Sequence, residues 1–212
     1  MKKIAIFGFG GHASEIIDIC DALGYEDIVL LVLPSDTPES SSSFKYVNEE
    51  DIPTLQKEGY SFAIGMADGK IRNKIYKQYN ELNYPALIHP DTSFGKRQLQ
   101  VVENTPGTIV AAGTRFMSSI QLGKFCVFGL NCTVGHDSIF EDFVSVMPGV
   151  NISGNVHVKK FAYIGSGAVV LQGTNKKKIT LNEGLVVGAG AVVTKSFHTG
   201  SVIAGVPAVV KS

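Results

Sequence analysis

A chain of 212 residues has room for one or two domains, and its 19 basic and 19 acidic side chains cancel to a formal charge of zero. With no basic excess to displace counterions, nucleic acid and anionic membrane surfaces are excluded as main partners. No apolar run reaches the roughly 20 residues that cross a bilayer, and the first one breaks at Gly8, Gly10 and Gly11 before Glu15, unlike a signal peptide.

The three cysteines, Cys20, Cys126 and Cys132, share no metal-ligand spacing. They read as packed free thiols of a reducing compartment, so a cytoplasmic location is expected.

In chain order, Lys3 to Gly8 reads as a buried strand feeding a glycine turn, Gly8-Phe9-Gly10-Gly11-His12-Ala13. Ile16, Ile17, Ile19, Cys20 and Leu23 then recur at helical spacing until Gly24 stops the helix. Strand, glycine turn and helix open a parallel α/β unit. Ile28 to Leu33 is a second strand, Pro34 to Ser43 a surface loop and residues 61–65 a third strand. A long helix follows from Lys70 to Leu82, with Ile71, Ile75, Tyr76 and Tyr79 on one side. Residues 1–85 thus form a small Rossmann-like α/β domain of three or four strands, and Pro85 to Phe94 reads as an extended connector.

From Val110 the pattern changes. An aliphatic residue or phenylalanine recurs every sixth position: Val110, Phe116, Leu122, Phe128, Val134, Phe140, Val146, Ile152, Val158, Ile164, Val170. With 44% of the chain hydrophobic, eleven successive hits in a fixed phase have a chance of about one in ten thousand. A six-residue step rotates roughly 240° around an α-helix, scattering these residues, whereas short strands broken by turns return each to one face. Glycine follows the apolar residue at Gly123, Gly129, Gly135 and Gly165, where a tight corner is expected. Four places beyond each apolar residue sit Cys126, Cys132, Ser138, Val144, Val150, Val156, Ala162 and Ala168, small or β-branched as a narrow solenoid interior requires. The first coil is irregular near Glu103 to Gly107. Gln172 to Lys178 is too polar to line a core and reads as an extruded loop, after which the step resumes at Leu181, Val187 and Val193.

This run resembles the hexapeptide-repeat acyltransferases, which wind a left-handed parallel β-helix of triangular section, three units to a coil. The fold class expected is therefore an α/β Rossmann-like domain followed by an all-β left-handed parallel β-helix over residues 86–212. The tail Ile203 to Ala208, with Pro207, resembles the family's closing segment.

Among five histidines, His136 lies outside both interior slots of its repeat and so stands on the outer surface. Asp137 beside it can strengthen the imidazole as a base; an exposed turn histidine is the plain alternative. Val134-Gly135-His136-Asp137 resembles the catalytic stretch of one branch of the family: the acetyltransferases of UDP-4-amino sugars on bacillosamine-type pathways and the sialic-acid O-acetyltransferases. That branch also places a glycine-rich α/β domain before the solenoid. The resemblance implies a histidine general base, His136, backed by Asp137 where relatives often have glutamate.

It further implies a sugar nucleotide at Gly10, Gly11, His12 and Gly65, the chemistry being backbone N–H groups at strand ends approaching phosphates. Gly8-x-Gly10-x-x-Ala13 is also a weak dinucleotide fingerprint. Against NAD stand the small domain and the absence of an acid at the end of the second strand, where Val32 and Leu33 sit and Asp36 comes later. Relatives carry aspartates there, so this is a departure. Acetyl-CoA as acetyl donor, without metal, is implied near Ser145, Gly165, Ser166, Gly188 and Ala189, each glycine of which is alternatively a plain corner. Lys176, Lys177 and Lys178 read as a solvated loop, with a CoA phosphate as the other option. The family's homotrimers place the active site between protomers.

N- and O-acetylation of a sugar remain open on the sequence. Two rivals stand beside them. One is the β-helical carbonic anhydrases, whose three zinc histidines would have to be found among His89, His136, His157 and His198. The other is a non-catalytic nucleotide-binding trimer.

Overall fold

The structure, a computed structural model, describes residues 1–33, 44–198 and 201–211. The loop expected at Pro34 to Ser43 lies outside the described residues. The first domain is a four-stranded parallel sheet, ordered β3-β2-β1-β4, from β1 (Lys2–Phe7), β2 (Tyr25–Val32), β3 (Lys45–Asn48) and β4 (Ser61–Ile64). Ile4 to Phe7 in β1 are buried, as a central strand covered on both faces must be. Helix α1 (Gly11–Ala22) follows β1, α2 (Ile52–Lys57) follows β3 and α3 (Gly69–Gln78) follows β4. Strand β3 and helix α2 were not foreseen, and α3 is shorter than expected.

The second domain is a prism of parallel strands in three sheets. The docking face, turned toward the first domain, carries Leu87–Ile88, Ile109–Val110, Val127–Phe128, Ser145–Val146, Tyr163–Ile164, Val186–Val187 and Val202–Ala204. The open face carries Ser93–Phe94, Arg115–Phe116, Thr133–Val134, Asn151–Ile152, Val169–Val170 and Val192–Val193. The back face carries Gln121–Leu122, Ile139–Phe140, Val156–Val158 and Ile179–Leu181. The stretch expected to be a connector is therefore already prism, since Leu87–Ile88 and Ser93–Phe94 pair with the coil above.

In the first coil α4 (Gln98–Glu103) replaces the back-face strand. The buried Gln98 amide bonds both the N–H and the carbonyl of Ile120 at 3.0 Å, supplying by side chain what a strand would. At the other end Val209–Val210 folds back antiparallel to Val202–Ala204.

The hexad residues and the small residues four places on form one buried stack. The corner glycines carry a correction. Gly123, Gly129, Gly135 and Gly165 do not adopt positive φ; the left-handed position comes two residues later, at Phe125, Asn131, Asp137 and Gly167. These glycines are needed because a Cβ there would come within 2.3 to 2.7 Å of backbone in the next coil. Coil stacking, not the turn, removes the side chain.

The domains meet through two layers. On one side Ala13, Ile16 and Cys20 of α1 pack on Ile109 and Val127 of the docking face. On the other, Phe125, Phe143 and Phe161, one per coil, stack at 5.3 and 5.7 Å between ring centroids, and Tyr76 of α3 leans on the first two. Between these layers lies Arg72, 0% exposed. It donates to the carbonyls of Phe125, Met66, Ala67, Phe143 and Val144 and to the Ser145 hydroxyl, at 2.8 to 3.1 Å. Its place was not foreseen: the helical pattern put Ile71 on the buried side, yet Ile71 is 44% exposed.

Candidate active site

His136 stands where the chain turns from the open face to the back face. Its Nδ1 lies 2.7 Å from Asp137 Oδ2, and both side chains are nearly half exposed. Adjacent residues in extended chain point to opposite sides. They meet here because Asp137 is left-handed, at φ 57°, a conformation aspartate tolerates better than most residues. The carboxylate accepts Nδ1–H, which fixes the tautomer and leaves Nε2 a free acceptor. The imidazole lies against Gly154 of the next coil, where an added Cβ would sit 2.6 Å from Nε2. Asn155, also left-handed, donates its N–H to the His136 carbonyl at 2.8 Å. Lys178 donates to the Asp137 carbonyl.

A second concavity, of about 490 Å³, opens at the carboxyl ends of β1, β2 and β4, walled by Gly8, Phe9, Gly10, Leu33, Ile71 and Lys74. An added Cβ at Gly10 or Gly11 would meet nothing within 4 Å, so no packing within the chain requires glycine there. The open approach leaves the amides that begin α1 accessible to an anion. Gly65 does not belong to this opening. It is buried, and a Cβ there would meet Ala13 Cβ at 2.8 Å, so it lets α1 close on the sheet. His12 bonds Glu15 through Nδ1 at 2.9 Å, while its Nε2 is buried without a partner among the described residues. Burial lowers its pKa, against the opposing pull of Glu15. The acid missing from the end of β2 has a counterpart after β3: Glu49 lines the same cleft and accepts from the Tyr79 hydroxyl at 3.1 Å.

The residues expected near acetyl-CoA divide. Ser145 is drawn elsewhere: 1% exposed, it donates to the Ala67 carbonyl at 2.6 Å and accepts from Arg72, so the junction consumes it. Gly165 and Gly188 form stacked corners between docking and open faces, a Cβ on Gly165 falling 2.7 Å from Ala189 N and one on Gly188 3.0 Å from Ala204 Cβ. Ser166 and Ala189 are exposed on that edge. His136 occupies the other edge of the open face, so one chain does not bring the two sets together.

Gly154, Asn155 and Arg72 were missed. Gly154 was findable, eighteen residues after His136, because each regular coil repeats after that interval, as Val127 pairing with Ser145 shows. Among the described residues no group of three or more His, Cys, Asp or Glu side chains could hold a metal, and His157 pairs with Glu141 at 2.8 Å on the back face. No helix among them is long and apolar enough to cross a membrane.

Comparison with known proteins agrees with this architecture. Residues 3–79 match the family model of the PglD N-terminal domain. The GDP-perosamine N-acetyltransferase of Escherichia coli O157:H7 is 28% identical over 206 residues, spanning 90% of this chain and 85% of that protein. The acetyltransferase domain of PglB from Neisseria gonorrhoeae FA1090, solved with acetyl coenzyme A, is 27% identical over 99% of both chains with a TM-score of 0.86. WeeI from Acinetobacter baumannii AYE is 25% identical over the full length of both, with a TM-score of 0.85. With a Rossmann-like domain set on a left-handed parallel β-helix, and an imidazole–carboxylate pair at one corner, the chain is similar along nearly its whole length to sugar acetyltransferases of the hexapeptide-repeat type.

Proposed function

We propose that this chain transfers the acetyl group of acetyl-CoA directly to the amino group of a nucleotide-linked amino sugar, of the 4-amino-4,6-dideoxy type, with His136 as general base. The carrying observation is the 2.7 Å contact of His136 Nδ1 with Asp137 at a half-exposed corner, a pairing that makes Nε2 the acceptor of the imidazole. The amine nitrogen attacks the thioester carbonyl carbon and Nε2 takes the proton that the nitrogen sheds. As the C–S bond breaks, the sulfur leaves with its electron pair, and the imidazolium can return that proton to it. Asp137 steadies the imidazolium, and no acetyl-enzyme forms.

The sugar nucleotide takes the cleft at Gly10 and Gly11, its phosphates on the first amides of α1. Relatives support the substrate class: one acts on GDP-perosamine and another was solved with acetyl coenzyme A. Because the Ser166 and Ala189 edge lies across the open face from His136, we assign the acetyl-CoA groove to two copies of the chain within a homotrimer. The three free thiols fit a cytoplasmic setting.

The test is thiol release from acetyl-CoA across a panel of UDP- and GDP-linked amino sugars and free sialic acids. Turnover with an amino sugar, falling about 10²- to 10⁴-fold in His136→Ala, is the expected result. Turnover only with a hydroxyl acceptor would convert the assignment to O-acetylation, and none at all would leave a nucleotide-binding trimer.

A further inference from the structure

The extruded loop is not idle. Up to Tyr163 the docking face repeats every eighteen residues, Ser145 pairing with Tyr163, but Tyr163 pairs with Val186 twenty-three residues on, so this coil carries five extra residues. Their course is defined. Gly173 N–H donates to the Gly154 carbonyl at 3.0 Å, Thr174 and Lys177 close a turn on each other at 2.9 and 3.0 Å, and Ile179 N–H donates to the Asn155 carbonyl at 3.1 Å. Both ends of the loop are thus tied to Gly154 and Asn155, the residues stacked on His136 and Asp137.

From this turn Lys176 and Lys177 are exposed, whereas Lys178 is half-buried and points back to the corner. Its ammonium donates to the Asp137 carbonyl and lies 3.4 Å from Asn155 Oδ1. The corner ladder runs otherwise through amides: Asn155 N–H takes the His136 carbonyl, and Asp137 N–H takes Ser118 at 3.3 Å. Lys178 supplies the donor for the next carbonyl. The left-handed turn at Asp137 is what brings its carboxylate back onto the neighbouring imidazole, so a group that holds this carbonyl holds the pairing.

We infer that Lys178 is a positioning residue for the base: it locks the left-handed turn at Asp137 and thereby the orientation of the His136 imidazole, rather than binding a phosphate of the donor. This rests on the role proposed for His136.

The test compares Lys178→Met, Lys178→Arg and Lys177→Met with the unaltered enzyme. Lys178→Met should lower kcat about tenfold or more, because small misplacement of a reacting group is costly, with KM for acetyl-CoA and for the amino sugar within about twofold. Lys178→Arg should recover much of the loss and Lys177→Met should show none. The Nδ1–H proton resonance of His136, shifted downfield by its bond to Asp137, should weaken or move in Lys178→Met without any substrate present. A full kcat with an unchanged resonance overturns the proposal. So does a loss confined to the acetyl-CoA KM, which would make Lys178 a phosphate ligand. Should Lys178→Met fail to fold, Lys178→Gln read by the same resonance and the same kcat-to-KM split decides in its place. His136→Ala separates the two levels: if it keeps its turnover the base assignment falls, and the resonance still reports whether Lys178 holds the pair.

Discussion

The prism interior and the junction between the domains are held together in opposite ways. Inside the prism every coil repeats the coil below, so stability is a sum of similar apolar contacts and no single residue is irreplaceable. At the junction one guanidinium carries six hydrogen bonds, four of them to the other domain, and among the described residues no carboxylate pairs with it. Desolvation lowers the Arg72 pKa to about 10, still far above neutrality, so it stays charged, held by five carbonyl dipoles and the Ser145 hydroxyl. Repetition tolerates loss; a hub concentrates it.

Removing the hub should have the largest effect on folding. Arg72→Ala leaves the Phe125 and Phe143 carbonyls buried without their donor and should cost about 4 kcal/mol, with calorimetry resolving two unfolding transitions where the unaltered chain shows one. A single transition with little loss would mean that the aromatic stack and α1 suffice. A smaller effect belongs to the prism: Ile164→Ala, at a fully buried position, should cost about 3 kcal/mol and lower stability without separating the domains. Chemical denaturation followed by near-ultraviolet circular dichroism of both variants makes that contrast directly.

The corner itself gives a third contrast, between stability and activity. Gly154→Ala pushes a methyl group onto the imidazole, so kcat should fall about tenfold or more, while the melting temperature drops by only a few degrees, about 1 kcal/mol. Equal activity would mean that His136 has another productive position.

The smallest effect lies at His12. Its pKa is lowered by burial, so below about pH 6.5 the unfolded chain takes up a proton that the folded chain refuses. Stability therefore falls as the pH drops from neutrality toward the folded value, and no such loss occurs above the unfolded value. His12→Gln should show a shallower decline in melting temperature between pH 7 and pH 5 than the unaltered chain. Parallel declines would place the neutral imidazole's cost elsewhere.

What could be read from the sequence follows the same division. The hexad from Val110 to Val170 specified the faces and placed His136 outside, because in a solenoid a local period is the tertiary structure. Strand β3 was not visible: Lys45-Tyr46-Val47-Asn48 is short and half polar, and only pairing with β2 makes it a strand. Arg72 was invisible for a stronger reason. Four of its six partners lie 53 to 73 residues away in the other domain, and helical periodicity offered Ile71 for the buried side. Ser145 looked available because the repeat places it outside the prism, and no periodicity reveals that another domain covers that point. Lys178 was read only as part of a solvated loop or a CoA phosphate ligand because the five extra residues erase the register that would have set it above Asp137.

Gly154 decides where along its edge the His136–Asp137 pair can sit. A flat ring needs a bare α-carbon overhead, and of the equivalent positions on this edge the coil above Ser118 offers a histidine, not a hydrogen. Transplanting the pair one storey down, to Ser118 and Ser119, would therefore require His136 to become glycine as well: three changes instead of two. The level of the imidazole–carboxylate pair is chosen by the vacancy above it as much as by the side chains that occupy it.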